Sequence, residues 1–119
     1  HDYSRTPGGS SSGSAASVAS FMTPLSIGSQ TGGSVIRPAS YCGVVGYKPS
    51  YGLISRNGVL KTSYILDHIG MFARKVEDIA MLAKVLIKKD RHDPATIYYS
   101  AENMLEEKKK WEQLKFYSL

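Results

Sequence analysis

The chain has 119 residues, of which 42% are hydrophobic and 21% charged, and its mean hydropathy is −0.22; this composition excludes a membrane-spanning or intrinsically disordered class. Its formal net charge of +5 raises nucleic acid or an anionic surface as a partner. The distribution argues against both: the first 36 residues hold only Asp2 and Arg5 as charges, and most of the rest fall on helix-like segments with Asp and Glu interleaved, where solvated faces account for them.

Gly and Ser crowd residues 1–34. Taken alone, Pro7-Gly8-Gly9-Ser10-Ser11-Ser12-Gly13-Ser14 has the composition of a flexible linker. The residues that follow overrule this. Ala15, Val18, Ala19 and Met22 fall at i, i+3, i+4 and i+7, one apolar helix face. The expectation is a Gly-rich turn entering a helix of about ten residues, capped by Ser11 or Ser12 and ended by Pro24.

Leu25-Ser26-Ile27-Gly28 is a candidate strand, and Ser29 to Ser34 a second glycine-containing turn. Pro38, Gly43, Gly46, Pro49 and Gly52 then punctuate the chain into turns and short elements. Residues 51–55 and 69–73 are candidate strands. The strongest helical signal spans about 76–89, where Val76, Ile79, Ala80, Ala83, Leu86 and Ile87 form one stripe. Glu77 and Asp78 lie in its first turn and Lys88-Lys89 in its last, complementing the helix dipole. A further helix is predicted over 101–113, capped by Ser100, with Ala101, Met104, Leu105 and Trp111 on one side; residues 116–119 read as the start of a strand. No internal repeat is present.

Two turns place a serine after paired glycines: Gly8-Gly9-Ser10 and Gly32-Gly33-Ser34. A serine hydroxyl is a weak nucleophile until a base takes its proton and donors hold the oxyanion formed on attack. Glycines beside it permit close substrate approach, and successive backbone N–H groups of Thr31, Gly32, Gly33 and Ser34 can converge into an anion-binding concavity. The spacing permits this chemistry without compelling it, since Gly-Gly-Ser is also an ordinary turn.

The remaining candidates have plainer readings. Cys42 is the only cysteine, which excludes an internal disulfide framework and a cysteine-rich zinc site, and fits a reducing, cytoplasmic setting. It reads as a small buried apolar residue. Asp67 and His68 are neighbours on a candidate strand and point to opposite faces, so separate structural hydrogen bonds are expected of them. His92 and Asp93 read as loop residues, and His1 carries no weight. No His or Cys spacing suggests a metal, neither glycine turn has the ending of a phosphate-binding loop, and no apolar run approaches the ~20 residues of a membrane span.

The ordered series Gly8-Gly9-Ser10-Ser11-Ser12-Gly13-Ser14-Ala15-Ala16, Gly28-Ser29-Gln30-Thr31-Gly32-Gly33-Ser34, Pro38-Ala39 and Cys42-Gly43-Val44-Val45-Gly46-Tyr47-Lys48-Pro49-Ser50-Tyr51-Gly52 strongly resembles the amidase signature family. The resemblance continues through Leu66-Asp67-His68-Ile69-Gly70 and Val76-Glu77-Asp78, covering roughly residues 7–93. It implies an α/β fold with a mixed β-sheet flanked by helices. It implies Ser34 as nucleophile, Ser10 as the bridging serine on a cis peptide bond, and Thr31, Gly32 and Gly33 as oxyanion donors.

The family's third triad member is a lysine well upstream, and nothing precedes His1 in this sequence. Lys48 matches a different lysine of the pattern, in a Gly-x-Lys-Pro turn. The expectation is therefore that residues 1–119 are part of a single amidase domain truncated at both ends, silent alone. The parent would hydrolyse a small-molecule carboxamide through an acyl-enzyme, without cofactor, metal, nucleic acid or membrane, with a homodimer as the expected assembly. The alternatives are a glutamine-amidase subunit of an amidotransferase, or a catalytically silent structural piece. Two departures from the family pattern bear on subfamily and substrate: Gln30 stands where many members carry Asp, and Arg37 is three positions after Ser34 rather than two.

Overall fold

The computed structural model describes residues 2–101. Along the chain run helix α1 (Ser12–Ala19), strand β1 (Leu25–Gln30), helix α2 (Ile36–Cys42), strands β2 (Val45–Tyr47) and β3 (His68–Ala73), and helix α3 (Val76–Leu86). The strands form one sheet in the order β1-β3-β2. Central β3 is antiparallel to both neighbours, with Leu25 opposite Ala73 and Gln30 opposite His68 on one side, and Tyr47 opposite Met71 on the other. The class is α/β, as the sequence implies, and every strand pairing among the described residues is antiparallel.

The alternation along β3 sorts the core into two layers. Ile69, Met71 and Ala73 face α3 and pack with Leu53, Ile54, Ile79, Ala83 and Ile87. Phe72 faces the other way and packs with Ala15 and Val18 of α1 and with Val35 and Ala39 at α2. Residues Ile69 to Ala73 are all buried, the pattern of a strand covered on both faces. Glycines let α1 and α2 sit unusually close to the sheet. A Cβ at Gly46 would lie 2.5 Å from the Ala39 Cβ, and one at Gly70 would lie 2.8 Å from Val35 Cγ2.

Helix α1 stops at Ala19, short of Pro24. Ser20 is its C-cap, and Phe21 turns the chain with a φ of 63°. The Arg74 guanidinium fixes this end by donating to the Val18 and Thr23 carbonyls, at 2.8 and 3.0 Å, and it lies 4.5 Å from the Phe21 ring centre. Met22 is consequently exposed rather than part of the apolar face. Ser11 occupies the N-cap position, yet its side chain makes no capping hydrogen bond. Residues 51–55 form a turn with one isolated bridge, Ile54 to Ile87, instead of a strand. Helix α3 matches its predicted stripe, except that Val76 is exposed and the helix closes at Leu86. Apart from Ala101, the helix and strand predicted beyond residue 100 lie outside the described residues.

Candidate active site

Helix α1 returns along β1, and serine hydroxyls fasten the two together. Ser14 Oγ donates to the Ile27 carbonyl at 2.8 Å, and Ser26 Oγ donates to the Ser14 carbonyl at 2.7 Å. Ser11 Oγ donates to the Ser29 carbonyl at 3.1 Å and accepts the Ser29 N–H at 3.2 Å. The start of α1 therefore meets the end of β1, which brings the two Gly-Gly-Ser turns side by side. The Ser11 N–H donates to the Ser34 carbonyl at 3.2 Å.

The first turn is pressed onto α2. Gly8 has a φ of 80°, and a Cβ there would lie 2.5 Å from the Tyr41 ring and 3.0 Å from Pro38 Cα. Arg37 Nε donates to the Gly9 carbonyl at 3.1 Å. The Gly9–Ser10 peptide bond is cis. Ser10 itself is exposed, while Ser34 is half-buried.

The second turn is pinned at its base. Buried Gln30 uses Oε1 to accept the N–H groups of Val35 and Ile36, at 2.9 and 3.0 Å. These are among the N–H groups that a helix start leaves without intrahelical partners. The contact ties the end of β1 to the start of α2 and loops residues 31–34 outward between them. Arg37 N–H closes the turn on the Gly33 carbonyl at 2.9 Å. Among the described residues the N–H groups of Gly32 and Gly33 donate to no acceptor, and neither the Ser10 nor the Ser34 hydroxyl forms a hydrogen bond. An open groove of about 550 Å³ runs over the turn, lined by Gln30, Gly32, Gly33, Ile36, Arg37, Ser40 and Tyr41. Gly32 and Gly33, with their free N–H groups, line this groove, whereas Ser10 and Ser34 are not among its lining residues; free N–H groups beside an open groove are what capture of an oxyanion requires.

Thr31 shows a role beyond its backbone. Its hydroxyl donates to Asp67 Oδ1 at 2.5 Å, and this contact, with the Ser63 and Thr62 N–H groups, pushes the Asp67 carboxyl down to about 2. His68 is not its partner: His68 Nδ1 lies 2.5 Å from the Leu66 carbonyl, and its ring meets Tyr51 edge-on. The neighbours thus make the separate structural contacts expected of them.

Asp93 is buried rather than a loose loop residue and pairs with buried Arg56. Lys48 Nζ donates to the Pro49 carbonyl at 2.6 Å, with no contact to either serine. Cys42 is half-buried against the α1–α2 core, its Sγ is 3.5 Å from the Pro7 carbonyl, and burial pushes its thiol up. No group of three or more His, Cys, Asp or Glu side chains is arranged to hold a metal among the described residues, and no helix there is long and apolar enough to cross a membrane.

Sequence reasoning flagged Gln30 and Arg37 only as departures from a pattern, and it treated Asp67 as a bystander. Their signal lay in the spacing of the turn: with two glycines ahead of Ser34, the fixing contacts must come from flanking side chains.

The chain matches the family model for Amidase over residues 1–116. The A subunit of glutamyl-tRNA(Gln) amidotransferase from Sulfurihydrogenibium sp. (strain YO3AOP1) is 52% identical over 105 residues, covering 88% of this chain and 22% of that protein. The corresponding protein of Mycoplasma pneumoniae is 56% identical over 95 residues, covering 78% of this chain and 20% of that protein. Among solved structures, the glutamyl-tRNA(Gln) amidotransferase A subunit of Thermotoga maritima superposes with a TM-score of 0.81 at 48% identity, over 83% of this chain and 22% of that one. The native peptide amidase of Stenotrophomonas maltophilia superposes with a TM-score of 0.76 at 40% identity, over 80% and 20% of the two chains. The chain thus spans about a fifth of the length of the curated relatives it matches.

Proposed function

This chain belongs to the amidase family, and we propose that it is the serine-bearing segment of a longer amidase that hydrolyses a carboxamide C–N bond. Ser34 Oγ attacks the amide carbonyl carbon. Its proton passes to Ser10, whose own proton passes to a lysine that the resemblance puts upstream of His1. The N–H groups of Thr31, Gly32 and Gly33 hold the oxyanion. As the C–N bond breaks, the leaving amine receives a proton by the reverse route, leaving an ester on Ser34. Water then cleaves the ester, releasing the acid and restoring the serine.

The observation that carries this reading is the Ser11 N–H to Ser34 carbonyl bond at 3.2 Å, which joins the two serine turns. In the enzyme carrying this segment, Ser34→Ala is expected to lower amide hydrolysis by at least about 10⁴-fold, the scale of losing an acyl-enzyme nucleophile. A serine-directed fluorophosphonate should label wild type at Ser34 and spare the variant. Full hydrolysis by Ser34→Ala refutes the proposal. The isolated 119-residue chain, without that lysine, is expected to stay unlabelled.

Within this chemistry two assemblies differ in the fate of the ammonia. As a free amidase, expected as a cytoplasmic homodimer acting on a small amide, the enzyme releases it. As the glutamine-amidase subunit of an amidotransferase, it passes ammonia to a partner. The curated relatives at 52% and 56% identity are amidotransferase A subunits, which supports the second, while solved structures of an A subunit and of an amidase each share 48% identity with this chain. Co-purification with a second protein, together with glutamine-dependent transfer of ammonia, tests it.

A further inference from the structure

Behind the Gly32-Gly33-Ser34 turn stands a carboxylate with no part in the proposed proton relay. Asp67, at the entry to β3, is 8% exposed. Its Oδ1 accepts the Thr31 hydroxyl at 2.5 Å, and its Oδ2 accepts the Thr62 and Ser63 N–H groups at 2.6 and 2.9 Å. The Thr62 hydroxyl adds a contact to Oδ1 at 3.1 Å. A carboxylate so fully engaged by donors is fixed in place, and hydrogen bonds to an ionised acceptor are the strong ones.

Asp67 is also held through its own backbone. Arg56 Nη1 donates to the Asp67 carbonyl at 3.4 Å and to the Tyr64 carbonyl at 2.8 Å. Arg56 is itself buried and paired with Asp93 at 3.3 Å.

On the other side of Thr31 the turn is closed by the Arg37 N–H on the Gly33 carbonyl at 2.9 Å, but no side chain packs closely against its glycines. A Cβ at Gly32 would meet nothing within 4 Å, and one at Gly33 only Arg37 Nη2 at 3.9 Å. Two glycines in open space have wide backbone freedom. Their N–H groups stay aimed only if the ends of the turn are fixed. Gln30 fixes the base, Ser11 holds the Ser34 carbonyl, and Thr31 leads straight into the glycines.

We infer that Asp67 is a positioning residue for amide hydrolysis: through the Thr31 hydroxyl it holds the Gly32 and Gly33 N–H groups where the oxyanion forms. The inference rests on the reading of Ser34 as nucleophile. With its carboxyl held far below neutrality, Asp67 stays ionised throughout the working range of an amidase. A clamp of this kind acts on kcat, because the N–H groups bind the oxyanion more tightly than the ground-state carbonyl.

The test is made in the full enzyme carrying this segment, with Thr31→Val, Asp67→Ala and the double variant. Thr31→Val keeps the backbone N–H and the shape, and leaves Asp67 bonded to Thr62 and Ser63, so it decides the matter even if Asp67→Ala fails to fold. Thr31→Val is expected to lower kcat by about 10- to 100-fold, the scale of a misplaced or lost oxyanion donor, with KM changed by less than about threefold. The rate of fluorophosphonate labelling at Ser34 should fall by a similar factor, because the phosphoryl oxygen uses the same N–H groups. The double variant should be no slower than the slower single variant. Unchanged kcat per folded enzyme in Thr31→Val, or losses that simply multiply in the double variant, overturn the inference. Ser34→Ala is assayed alongside: if it remains active the nucleophile assignment fails, whereas an inactive Ser34→Ala with a fully active Thr31→Val sinks only the role given to Asp67.

Discussion

Replacing Gly28 by Ala tests whether close helix–sheet packing sets the serine geometry. Gly28 lies on β1 opposite Gly70 of β3, on the face covered by α1. An added methyl would sit 2.6 Å from Ser11 Oγ, 2.8 Å from Ser11 Cβ and 2.8 Å from Phe72 Cε2. Carbon atoms settle at about 3.5–4.0 Å from one another, so the neighbours must give by about 1 Å. Phe72 is fully buried and has no room to yield. The retreat falls on Ser11, whose N–H links to Ser34 and whose preceding residue is Ser10. Overpacking of this kind costs about 1–3 kcal/mol, and the stiffer unfolded chain returns about 0.4–1 kcal/mol of it. The expected net loss is about 1–2 kcal/mol. A displacement of Ser10 relative to Ser34 by about 1 Å would cost about 10²-fold in rate. Urea unfolding and steady-state amide hydrolysis by the full enzyme read the two effects. Gly13→Ala is the control: it lies in α1 with nothing within 4 Å of an added Cβ, and it should gain up to about 1 kcal/mol with activity intact. A Gly28→Ala enzyme that folds normally and hydrolyses within about threefold of wild type would falsify the packing argument.

Two further outcomes follow from the buried charges. Asp93 is 1% exposed and Arg56 5%, so Asp93→Ala strands a buried guanidinium and is expected to cost about 3–5 kcal/mol in urea unfolding; a loss under about 1 kcal/mol contradicts the assignment. The second outcome is loss of stability in acid. The Thr31 hydroxyl and the Ser63 and Thr62 N–H groups take the Asp67 carboxyl down to about 2. Ser55 and the His92 N–H lower Asp90. For Asp93 burial pulls upward, and the Arg56 contacts outweigh it to leave the carboxyl low. Folded-state carboxyls held low contribute stability that is fully present above their unfolded pKa of about 3.9 and lost as pH falls through their folded values. Circular dichroism should therefore show unfolding between about pH 4 and pH 2, with a shallower acid limb in Asp67→Asn. An unchanged limb in that variant removes Asp67 from the account.

The elements most legible in the sequence are those whose burial follows one period. Ala15 and Val18 at i and i+3, and Ile79, Ala80, Ala83 and Ile87 further on, are buried as the helical spacing requires. Met22 fails because the chain leaves the helix at Ser20, under the hold of Arg74 from far along the chain, a contact no local pattern contains. Residues 51–55 mislead for a related reason. Leu53 and Ile54 are buried, but short apolar runs do not declare their pairing. Gly52 has a φ of 81° and comes so near the chain that a Cβ there would be 2.4 Å from the Ala95 carbonyl oxygen. The Gly-Gly-Ser pairs were legible as turns, and the joint role proposed for them came only through resemblance. Asp67 stayed hidden because its partners, Thr31 and Thr62, lie far from it or in an irregular loop.

The reason two serines 24 positions apart become neighbours lies in how the edge of the sheet is covered. Among the described residues β1 is an edge strand, and an edge presents carbonyl and N–H groups that need partners. Ser14 takes the outward Ile27 carbonyl, and Ser11 takes both the carbonyl and the N–H of Ser29. A large apolar side chain at either position could not bond that edge. At Ser11 it would also meet the space Gly28 leaves so tight. Serine and glycine thus let α1 lie close beside β1 while satisfying its edge. Because α1 runs back along β1, the residue before the helix arrives beside the residues after the strand. The linker-like composition of the first 34 residues is therefore a means of close docking. The hydroxyls divide: those of Ser11, Ser14 and Ser26 bind backbone, whereas those of Ser10 and Ser34 form no hydrogen bond among the described residues.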